Sequence, residues 1–352
     1  MANSTEYEFN DYTQRVLVAT VILGISTLGI IGNSLVVLAV LLTKKLRTVV
    51  NVFVVNLSIA DVLTCLVIPW HSVALLNIKK DLPLLNSICG VVAVVVYTTV
   101  GCSIYTLASV GLNRLMLITR PTTTYRKIFT PKKIAVWLVF IWLVPFIFVT
   151  LPLLFKLGAV MYSKQLHFCG PDRAHPNAHS YDLILAGTLY PIPSIIITIS
   201  YILIWRHLRR HARRMASTPE ETDHSSYNDR TVASNSLATM TNNSPVSQPR
   251  ISRRQTEITK NMFYIVCAFM VCLTPYAISL FINDSDAAKP YTAAGVLLNS
   301  CLNPFIYATK HRDFKTVFGC IFHRKWDDIP EPSECLKAMR RVHCKRRSTR
   351  MT

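Results

Sequence analysis

Residues 89–121 read CGVVAVVVYTTVGCSIYTLASVGLNRLMLITRP. No charged residue occurs from Cys89 to Leu112, and Arg114 follows close behind. An α-helix rises about 1.5 Å per residue, so roughly 20 apolar residues cross the hydrocarbon core of a bilayer. The stretch therefore predicts a membrane-spanning helix with Cys89 at one interface and Arg114 at the other. On its own, Arg114 fits a charge that anchors a helix end among the lipid headgroups.

The composition of the whole chain indicates an integral membrane protein. Of its 352 residues, 51% are hydrophobic and only 16% are charged, whereas about a quarter of the residues of a soluble domain are charged. The first 15 residues are polar and acidic rather than positively charged, which argues against a cleavable signal peptide. We therefore expect the first apolar run to remain in the protein as a helix.

Six further apolar runs predict, together with this one, seven membrane spans. The spans cover residues 16–43, 50–76, 87–115, 134–155, 182–205, 262–283 and 291–309. Residues 217–250 are rich in Ser, Thr and Asn and predict a disordered inner loop. From His311 to His323, apolar residues at helical spacing among charges predict an amphipathic helix at the inner interface. The predicted fold class is an all-α membrane protein, a seven-transmembrane helix bundle with an amphipathic cytoplasmic helix after the seventh span.

The positive charge of the chain is concentrated on one side of the predicted membrane. The net charge is +19. With the N-terminal tail (1–15) outside, Lys and Arg outnumber Asp and Glu about threefold in the inner segments and roughly balance them in the outer ones. This pattern predicts an outer N-terminus, a basic cytoplasmic tail over residues 324–352, and contact with anionic lipid of the inner leaflet. It argues against nucleic acid as the partner of the basic residues.

The cysteines also divide between the two sides. Of ten cysteines, Cys89 and Cys169 are the two that fall on the predicted outer, oxidising side. A pair with no competitor there predicts a disulfide, which would hold the second outer loop over the mouth of the bundle. Cys320, at the end of the amphipathic helix, is a candidate palmitoylation site. Asn3 begins an Asn-Ser-Thr sequon in the outer tail and is a candidate glycosylation site.

Asp61 is a carboxylate near the middle of the second span. A charge within the bilayer is costly, so such a residue is a functional hypothesis by default, and the alternative is a protonated group with a structural hydrogen bond. Asp61 could also lie on the ion path of a transporter or channel, although the repeated halves typical of transporters are absent. A seven-span enzyme would need a His and Asp metal cluster, for which the spans offer only Asp61.

Polar and proline residues at a particular place in each span resemble those of the rhodopsin-like, class A, G-protein-coupled receptors. The resemblance covers residues 16–323, which are expected to form one receptor domain. It rests on eight motifs: Gly32–Asn33, Leu57–Asp61, Cys89 with Cys169, Arg114, Trp142, Pro193 with Tyr201, Cys272–Pro275 and Asn303–Tyr307. Asn113 before Arg114, with an intact Asn-Pro-x-x-Tyr, is also similar to a loose group that contains the Moody and Trapped-in-endoderm receptors of insects, the medium-chain fatty-acid receptor and, more distantly, melatonin receptors.

The resemblance implies a plasma-membrane receptor without enzymatic activity. An outer ligand would favour a packing in which the sixth helix, bent at Pro275, swings outward at its inner end, and a heterotrimeric G protein would bind in the opened cleft. Arrestin and receptor kinases are implied as further partners. The residues implied in coupling and switching are Asn113, Arg114, Tyr201, Leu273, Pro275, Asn303, Pro304 and Tyr307.

Several positions depart from the family pattern. Asn113 stands where the family usually has an acidic residue before the arginine, Leu115 replaces a tyrosine, and Gln255 stands where a side chain commonly restrains the arginine. Charge-assisted hydrogen bonds are roughly twice as strong as neutral ones, so we expect a weaker inactive-state lock. Leu273 replaces the tryptophan that serves the family as a rotamer switch, so coupling at this position is expected to differ.

The positions that match the ligand pocket of the family are mostly apolar. Val96 replaces the aspartate that binds amines and Leu297 replaces the lysine that binds retinal, so neither ligand is expected. Basic residues near the mouth favour an amphipathic acid, a lysophospholipid or a peptide carboxylate, unless they are solvated loop charges. These basic residues are Lys79, Lys80, Arg173 and Lys289. The implied pocket residues are His71, Val96, Tyr97, Val100, Arg173, Leu185, Leu189, Tyr276, Leu280, Lys289, Ala293 and Leu297.

The resemblance implies an allosteric sodium ion and no other cofactor. The matching positions supply oxygen atoms around a carboxylate, a set that suits a hard cation. They are Asp61, Ser103, Asn299, Ser300 and Asn303.

Overall fold

The computed structural model describes residues 8–77, 83–172, 174–216, 253–282, 287–338 and 340. The principal helices of this part of the chain are α1 (Tyr12–Leu42), α2 (Val49–Val67), α3 (Pro69–Leu76), α4 (Pro83–Thr119), α5 (Thr122–Ile128), α6 (Pro131–Leu154), α7 (Ala178–Leu189), α8 (Pro191–Ala216), α9 (Arg253–Phe281), α10 (Lys289–Lys310) and α11 (Arg312–Phe322). Two strands, β1 (Val160–Ser163) and β2 (Phe168–Pro171), lie between α6 and α7. The predicted inner loop 217–250 lies outside the described residues.

Seven spans assemble into one helix bundle. Six of them are long and apolar enough to cross a membrane: Tyr12–Leu42, Val49–Leu76, Leu84–Thr119, Pro131–Leu154, Ala178–Arg210 and Phe263–Phe281. The seventh span, α10, buries polar residues such as Asn299 and Asn303, and it packs against α1 and α9 to complete the bundle. The predicted seven-helix bundle with a helix after the seventh span is confirmed.

Two of the spans are divided at a proline. Ile68 separates α2 from α3, which begins at Pro69, and Tyr190 separates α7 from α8, which begins at Pro191. Proline lacks a backbone N–H and its ring collides with the preceding turn, so a helix breaks or bends there. Pro275 instead stays inside α9, where it leaves the helix continuous but without one backbone hydrogen bond.

Side chains cap the first turn of several helices. Asp11 Oδ1 accepts hydrogen bonds from the backbone N–H groups of Thr13 (2.9 Å) and Gln14 (3.2 Å) at the start of α1. Thr48 and Thr130 accept equivalent bonds at the starts of α2 and α6. The first N–H groups of a helix have no partner within it, so these three residues fix where the helices begin.

α4 is the central helix of the bundle. It contacts α2, α3, α5, α6, α8, α9 and both strands. One hydrophobic cluster around Phe53 and Phe269 fills the inner half of the bundle, and a second around Ile22 and Leu75 fills the outer half. Large apolar side chains such as Phe140 of α6 are exposed on the outside of the bundle, where a bilayer provides their apolar surroundings.

A short hairpin crosses the outer end of the bundle. β1 and β2 pair in antiparallel fashion, with Val160 opposite Pro171. Cys169 of β2 is joined by a disulfide to Cys89 in the first part of α4, as predicted. The hairpin contacts α3, α4 and α7, so the disulfide holds it as a lid over the bundle.

The described part of the C-terminal segment packs against the bundle. The sequence had suggested one basic tail over residues 324–352. The backbone N–H of Ser333 donates to the carbonyl of Leu42 (2.9 Å), and Ile329 and Leu336 are buried against Leu42. The first part of the tail is therefore a docked segment at the inner end of α1.

Candidate functional site

A cavity lies in the outer half of the bundle, under the β1–β2 hairpin. Its volume is about 80 Å³, which admits a few water-sized groups. Ten of the predicted pocket residues line it: His71, Val96, Tyr97, Val100, Leu185, Leu189, Tyr276, Leu280, Ala293 and Leu297. The described wall contains no Lys, Arg, Asp or Glu side chain. The sequence therefore located the wall of this cavity, and its role in ligand binding stays a prediction.

Some wall residues were not anticipated from the sequence. Phe168 and Tyr190 line the cavity, and so does Leu273, which the sequence had suggested as a switch residue. Phe168 could have been found because it precedes Cys169, whose disulfide brings the hairpin over the bundle. Leu273 lies two residues before Pro275, so the cavity wall adjoins the proline within α9.

Lys289 is not a free positive charge at the mouth, which corrects the sequence expectation. It lines a smaller adjoining cavity with Tyr97 and Tyr276, and its Nζ atom lies 3.7 Å from Oδ2 of Asp182. The Asp182 side chain is fully buried and that of Lys289 is 6% exposed. The spans thus hold a second buried carboxylate besides Asp61. Arg173, Lys79 and Lys80 lie outside the described residues.

The roof of the cavity also contains a pair of phenol groups. The hydroxyls of Tyr97 and Tyr276 are 3.0 Å apart and bond to each other. This bond links α4 to α9, and the Lys289–Asp182 pair links α10 to α7. The polar groups at this level therefore bond across helices, which satisfies much of their hydrogen-bonding capacity without a ligand.

His71 differs from these groups. It belongs to α3, is 1% exposed, and lines the main cavity. Its ring stacks on Phe168, with centroids 3.9 Å apart and planes 19° apart. Neither ring nitrogen forms a hydrogen bond with any described residue.

The five predicted sodium-site residues lie together in the centre of the bundle. Asn303 Nδ2 donates to Asp61 Oδ2 (2.8 Å) and Ser103 Oγ donates to Asp61 Oδ1 (3.4 Å). The Ser300 side chain also lies close to the Asp61 carboxylate, and Oδ1 of Asn299 is buried without a hydrogen-bond partner among the described residues. All five side chains are buried, so α2, α4 and α10 supply one oxygen-rich site around a carboxylate.

Two further motif residues, Trp142 and Gly32, contribute to contacts between helices. Trp142 Nε1 donates to Asn56 Oδ1 (2.9 Å), and Asn56 Nδ2 donates to Thr106 Oγ1 (2.8 Å). These bonds join α6, α2 and α4. Gly32 allows α1 to approach α10, because a Cβ atom there would lie 2.8 Å from the side chain of Pro304.

Four of the predicted switch residues lie at the inner end of the bundle: Asn113, Arg114, Tyr201 and Tyr307. Arg114 is 4% exposed and lies within electrostatic range of Tyr125 and Tyr201. Asn113 is fully buried, and its Nδ2 donates to the hydroxyl of Tyr125 in α5 (3.1 Å). Tyr307 stacks on Phe314 of α11 (5.3 Å). The side chain of Gln255 lies outside those described.

The neutral lock expected at Asn113 therefore has an identified neighbour, Tyr125, which the sequence analysis did not name. Tyr125 lies in α5, a helix of the inner loop that was also not anticipated. The Tyr201 hydroxyl is buried and forms no hydrogen bond with a described residue. Since a buried hydroxyl without a partner is unfavourable, this group gains stability in any packing that supplies one.

The two predicted modification sites have different positions. Cys320 is partly buried against the cluster of Leu42, Ile329 and Leu336. An acyl chain on Cys320 would have to share this space with the docked segment. Asn3 lies outside the described residues. Both modifications stay predictions.

Three known proteins show what this chain resembles. It is 25% identical to the G-protein coupled receptor moody of Drosophila melanogaster over 337 residues, which is 84% of this chain but only 50% of moody. It is 25% identical to Protein trapped in endoderm-1 of the same species over 303 residues, 84% of this chain and 74% of that protein. The crystal structure of squid rhodopsin superposes with a TM-score of 0.71 and 20% identity, covering 90% of this chain and 87% of the other.

Seven spans, a disulfide-held lid over a cavity and a buried inner arginine define the class of seven-transmembrane receptors. The model of the 7 transmembrane receptor (rhodopsin family) matches residues 32–307. This chain belongs to the rhodopsin family of seven-transmembrane receptors. The predicted class A membership and the likeness to moody and trapped in endoderm-1 are confirmed. Members of the family are multi-pass membrane receptors, so the enzyme and transporter alternatives are set aside.

Proposed function

We propose that this receptor binds an extracellular ligand in the cavity under the hairpin and activates heterotrimeric G proteins. One observation carries the proposal: a single helix, α4, contributes Tyr97 to the cavity wall and Arg114 to the inner end of the bundle, with Ser103 of the Asp61 site between them. A change of packing at the outer end therefore has a continuous, rigid route to the inner end.

Activation proceeds by outward movement of the inner end of α9 about Pro275. Leu273 lines the cavity and lies next to this bend, so a ligand that packs better against one position of α9 shifts the balance between two helix packings. A ligand shifts such an equilibrium only by its difference in affinity for the two states. In the open packing, Arg114, Tyr201 and Tyr307 contact the G protein, and Tyr201 acquires a hydrogen-bond partner.

The ligand is an amphipathic acid, a lipid or a peptide, and is neither an amine nor retinal. Apolar residues form most of the wall, which favours an apolar body. Val96 offers no carboxylate to an ammonium group, and Leu297 offers no amine for a Schiff base.

A sodium ion at the Asp61 site stabilises the resting packing. Within the described residues, Asp61 accepts hydrogen bonds from uncharged groups, and a buried carboxylate is unfavourable unless a cation or several donors compensate it. Oxygen atoms of Asp61, Ser103, Ser300 and Asn299 would hold the ion. It would supply positive charge there and take no part in a chemical step.

The receptor resides in the plasma membrane with its N-terminus outside and its C-terminus in the cytoplasm. Arrestin and receptor kinases are proposed as partners at the inner face, where the predicted excess of Lys and Arg also favours anionic lipid. Glycosylation at Asn3 and palmitoylation at Cys320 complete the proposal.

Nucleotide exchange tests the function directly. The purified chain in lipid nanodiscs is added to a panel of heterotrimeric G proteins, one from each class, and binding of a GTP analogue is followed. We expect at least one G protein to exchange faster than with empty nanodiscs, and Arg114→Ala to remove most of this acceleration. The proposal would be contradicted if nucleotide exchange were not accelerated in any class of G protein, provided that a cooperative thermal unfolding transition shows the receptor to be folded.

A further inference from the structure

His71 is the buried polar group of the cavity wall that the protein leaves without a hydrogen bond from a described residue. A neutral imidazole carries one N–H donor and one acceptor nitrogen. Both are buried and neither is bonded, although the great majority of buried polar side-chain atoms in native structures have a partner. The neighbouring Tyr97 and Tyr276 hydroxyls bond to each other and do not meet this requirement.

The position of the His71 ring is constrained on one side. It stacks face to face on Phe168, and Phe168 is adjacent to Cys169, which the disulfide joins to Cys89 of α4. The stacking contact and the disulfide therefore hold the hairpin and the His71 ring together at the α3 side of the cavity. A group that enters the cavity meets His71 as a preorganised hydrogen-bonding site.

The charge of the cavity restricts what can enter it. The described wall contains no Lys, Arg, Asp or Glu, and Lys289, which lines the adjoining cavity, faces Asp182. An ionised group in such a cavity would be buried without a counter-charge from any described wall residue, which is far more costly than burying a neutral polar group. The same argument keeps the His71 imidazole neutral.

We propose that His71 recognises the ligand, and that the ligand is a neutral, mostly apolar molecule whose hydroxyl group bonds to the His71 ring. The proposal rests on the proposed function, because it assigns the cavity to the ligand of the receptor. It narrows the three ligand classes to a neutral lipid-like alcohol. A hydroxyl can donate to the acceptor nitrogen or accept from the N–H, so it suits either tautomer of the ring.

Matched pairs of probes test the ligand class. Straight-chain alcohols of four to ten carbons are compared with carboxylic acids of equal length, on the purified full-length receptor. Saturable binding is measured by the shift of the thermal unfolding midpoint with probe concentration. We expect at least one alcohol to bind about tenfold more tightly than the acid of equal length. Equal or tighter binding of the acid would overturn the proposal, and so would the absence of saturable alcohol binding, which would leave water as the partner of His71.

Variants of His71 test the residue itself. His71→Phe keeps a ring that can stack on Phe168 and removes both nitrogens, so alcohol affinity should fall about tenfold. The ligand-free variant should unfold at the same or a higher temperature than the wild type, because two unsatisfied buried atoms are gone. His71→Gln retains a donor and an acceptor and should recover part of the affinity. His311→Phe, the same change in another buried histidine remote from the cavity, should leave alcohol affinity unchanged.

The outcomes distinguish a failure of the His71 proposal from a failure of the proposed receptor function. If His71→Phe binds alcohol as tightly as the wild type, or is less stable without ligand, the recognition role is wrong and the histidine is structural. The G-protein exchange assay on the wild type is independent of these measurements. Alcohol binding that depends on His71, in a receptor that accelerates no G protein, would refute the proposed function and leave the binding site in place.

Discussion

Two carboxylates are fully buried among the described residues of this bundle, and their surroundings differ in kind. Asp182, in the outer half, faces the ammonium group of Lys289 at 3.7 Å. Asp61, in the centre, accepts hydrogen bonds from Asn303 (2.8 Å) and Ser103 (3.4 Å). One carboxylate therefore faces a counter-charge that belongs to the protein, and the other has only neutral donors among the described residues.

The difference indicates what each site can do. A fixed ion pair between α7 and α10 ties two helices together at the lid level, and removing one partner takes a compensating charge away from a buried group. A carboxylate with neutral neighbours leaves room for a mobile cation, whose arrival and departure can follow the packing of the helices. The outer carboxylate is thus suited to structure and the central one to regulation.

The largest effect is expected from breaking the outer pair. Lys289→Met removes the ammonium group that faces the buried Asp182 carboxylate and should reduce the free energy of unfolding by about 3–5 kcal/mol. The measurement is thermal or denaturant unfolding of the purified receptor. The double variant Lys289→Met/Asp182→Leu should recover most of the loss, and Lys132→Met, at an exposed lysine, is the control. Wild-type stability of the single variant would show that the pair does not contribute.

The next effect concerns Asp61. In the wild type, sodium at ten times its dissociation constant should stabilise the resting receptor by about 1.4 kcal/mol, seen as a rise in the unfolding midpoint relative to potassium at equal ionic strength. Asp61→Asn removes the charge that holds the ion and should abolish the difference between the two salts. A sodium-specific rise that persists in Asp61→Asn would place the ion elsewhere.

A smaller effect is expected at Asn113. This side chain bonds to Tyr125 (3.1 Å) and forms no ion pair with the adjacent arginine, because it has no charge. Asn113→Asp adds a charge-assisted bond at the lock, which is roughly twice as strong as a neutral one, so basal exchange should fall about fivefold. Tyr125→Phe, which removes only the neutral bond, should not lower it. Unchanged or raised basal exchange of Asn113→Asp at equal surface expression would be the contrary result.

The smallest effect is expected from an exposed carboxylate, Glu334 of the docked segment. Hydrogen bonds from Lys44 (2.8 Å) and Lys337 (3.2 Å) lower the pKa of Glu334 to about 2 from its ordinary 4.5. Because the pKa is lower in the folded state, the contribution is present above about pH 4.5 and is lost as the pH falls towards 2. Exposed pairs are weak, so Glu334→Gln should slightly speed amide exchange at Ser333.

The pH dependence provides the check on this last prediction. The ratio of the Ser333 exchange rates of variant and wild type should fall towards one as the pH is lowered from about 5 through about 2, because the wild-type carboxylate loses its charge as it is protonated. A ratio that stays constant over this range would mean that Glu334 does not hold the segment. Glu334 would then be an exposed carboxylate without a structural role, in contrast to Asp61 and Asp182.

Much of the fold could be predicted from the sequence, because it depends on local features such as the length of an apolar run and the position of a cysteine. Apolar length located the spans, and Pro69 and Pro191 account for the two breaks that the structure shows within them. The Cys89–Cys169 disulfide followed from the compartments of the cysteines. The wall of the cavity and the Asp61 site followed from the family resemblance, since the register of each helix is shared.

Other features depend on helix rotation and could not be predicted in this way. Lys289 and Asp182 lie more than one hundred residues apart, and each stands at the start of a different span. Nothing in either segment says that the two side chains face each other. The docking of Ile329 and Leu336 was missed for a different reason, because two apolar residues in a basic segment give no periodic pattern.

The movement of α9 is the central claim, and a distance between labels tests it most directly. Spin labels at Lys260 in the first part of α9 and at Lys132 in α6, both exposed, are introduced on a background with the exposed Cys267 and Cys335 replaced by serine. The distance distribution is recorded by double electron–electron resonance with and without nucleotide-free G protein. We predict that a longer distance is populated in the complex. An unchanged distribution, in a sample that accelerates nucleotide exchange, would contradict the account.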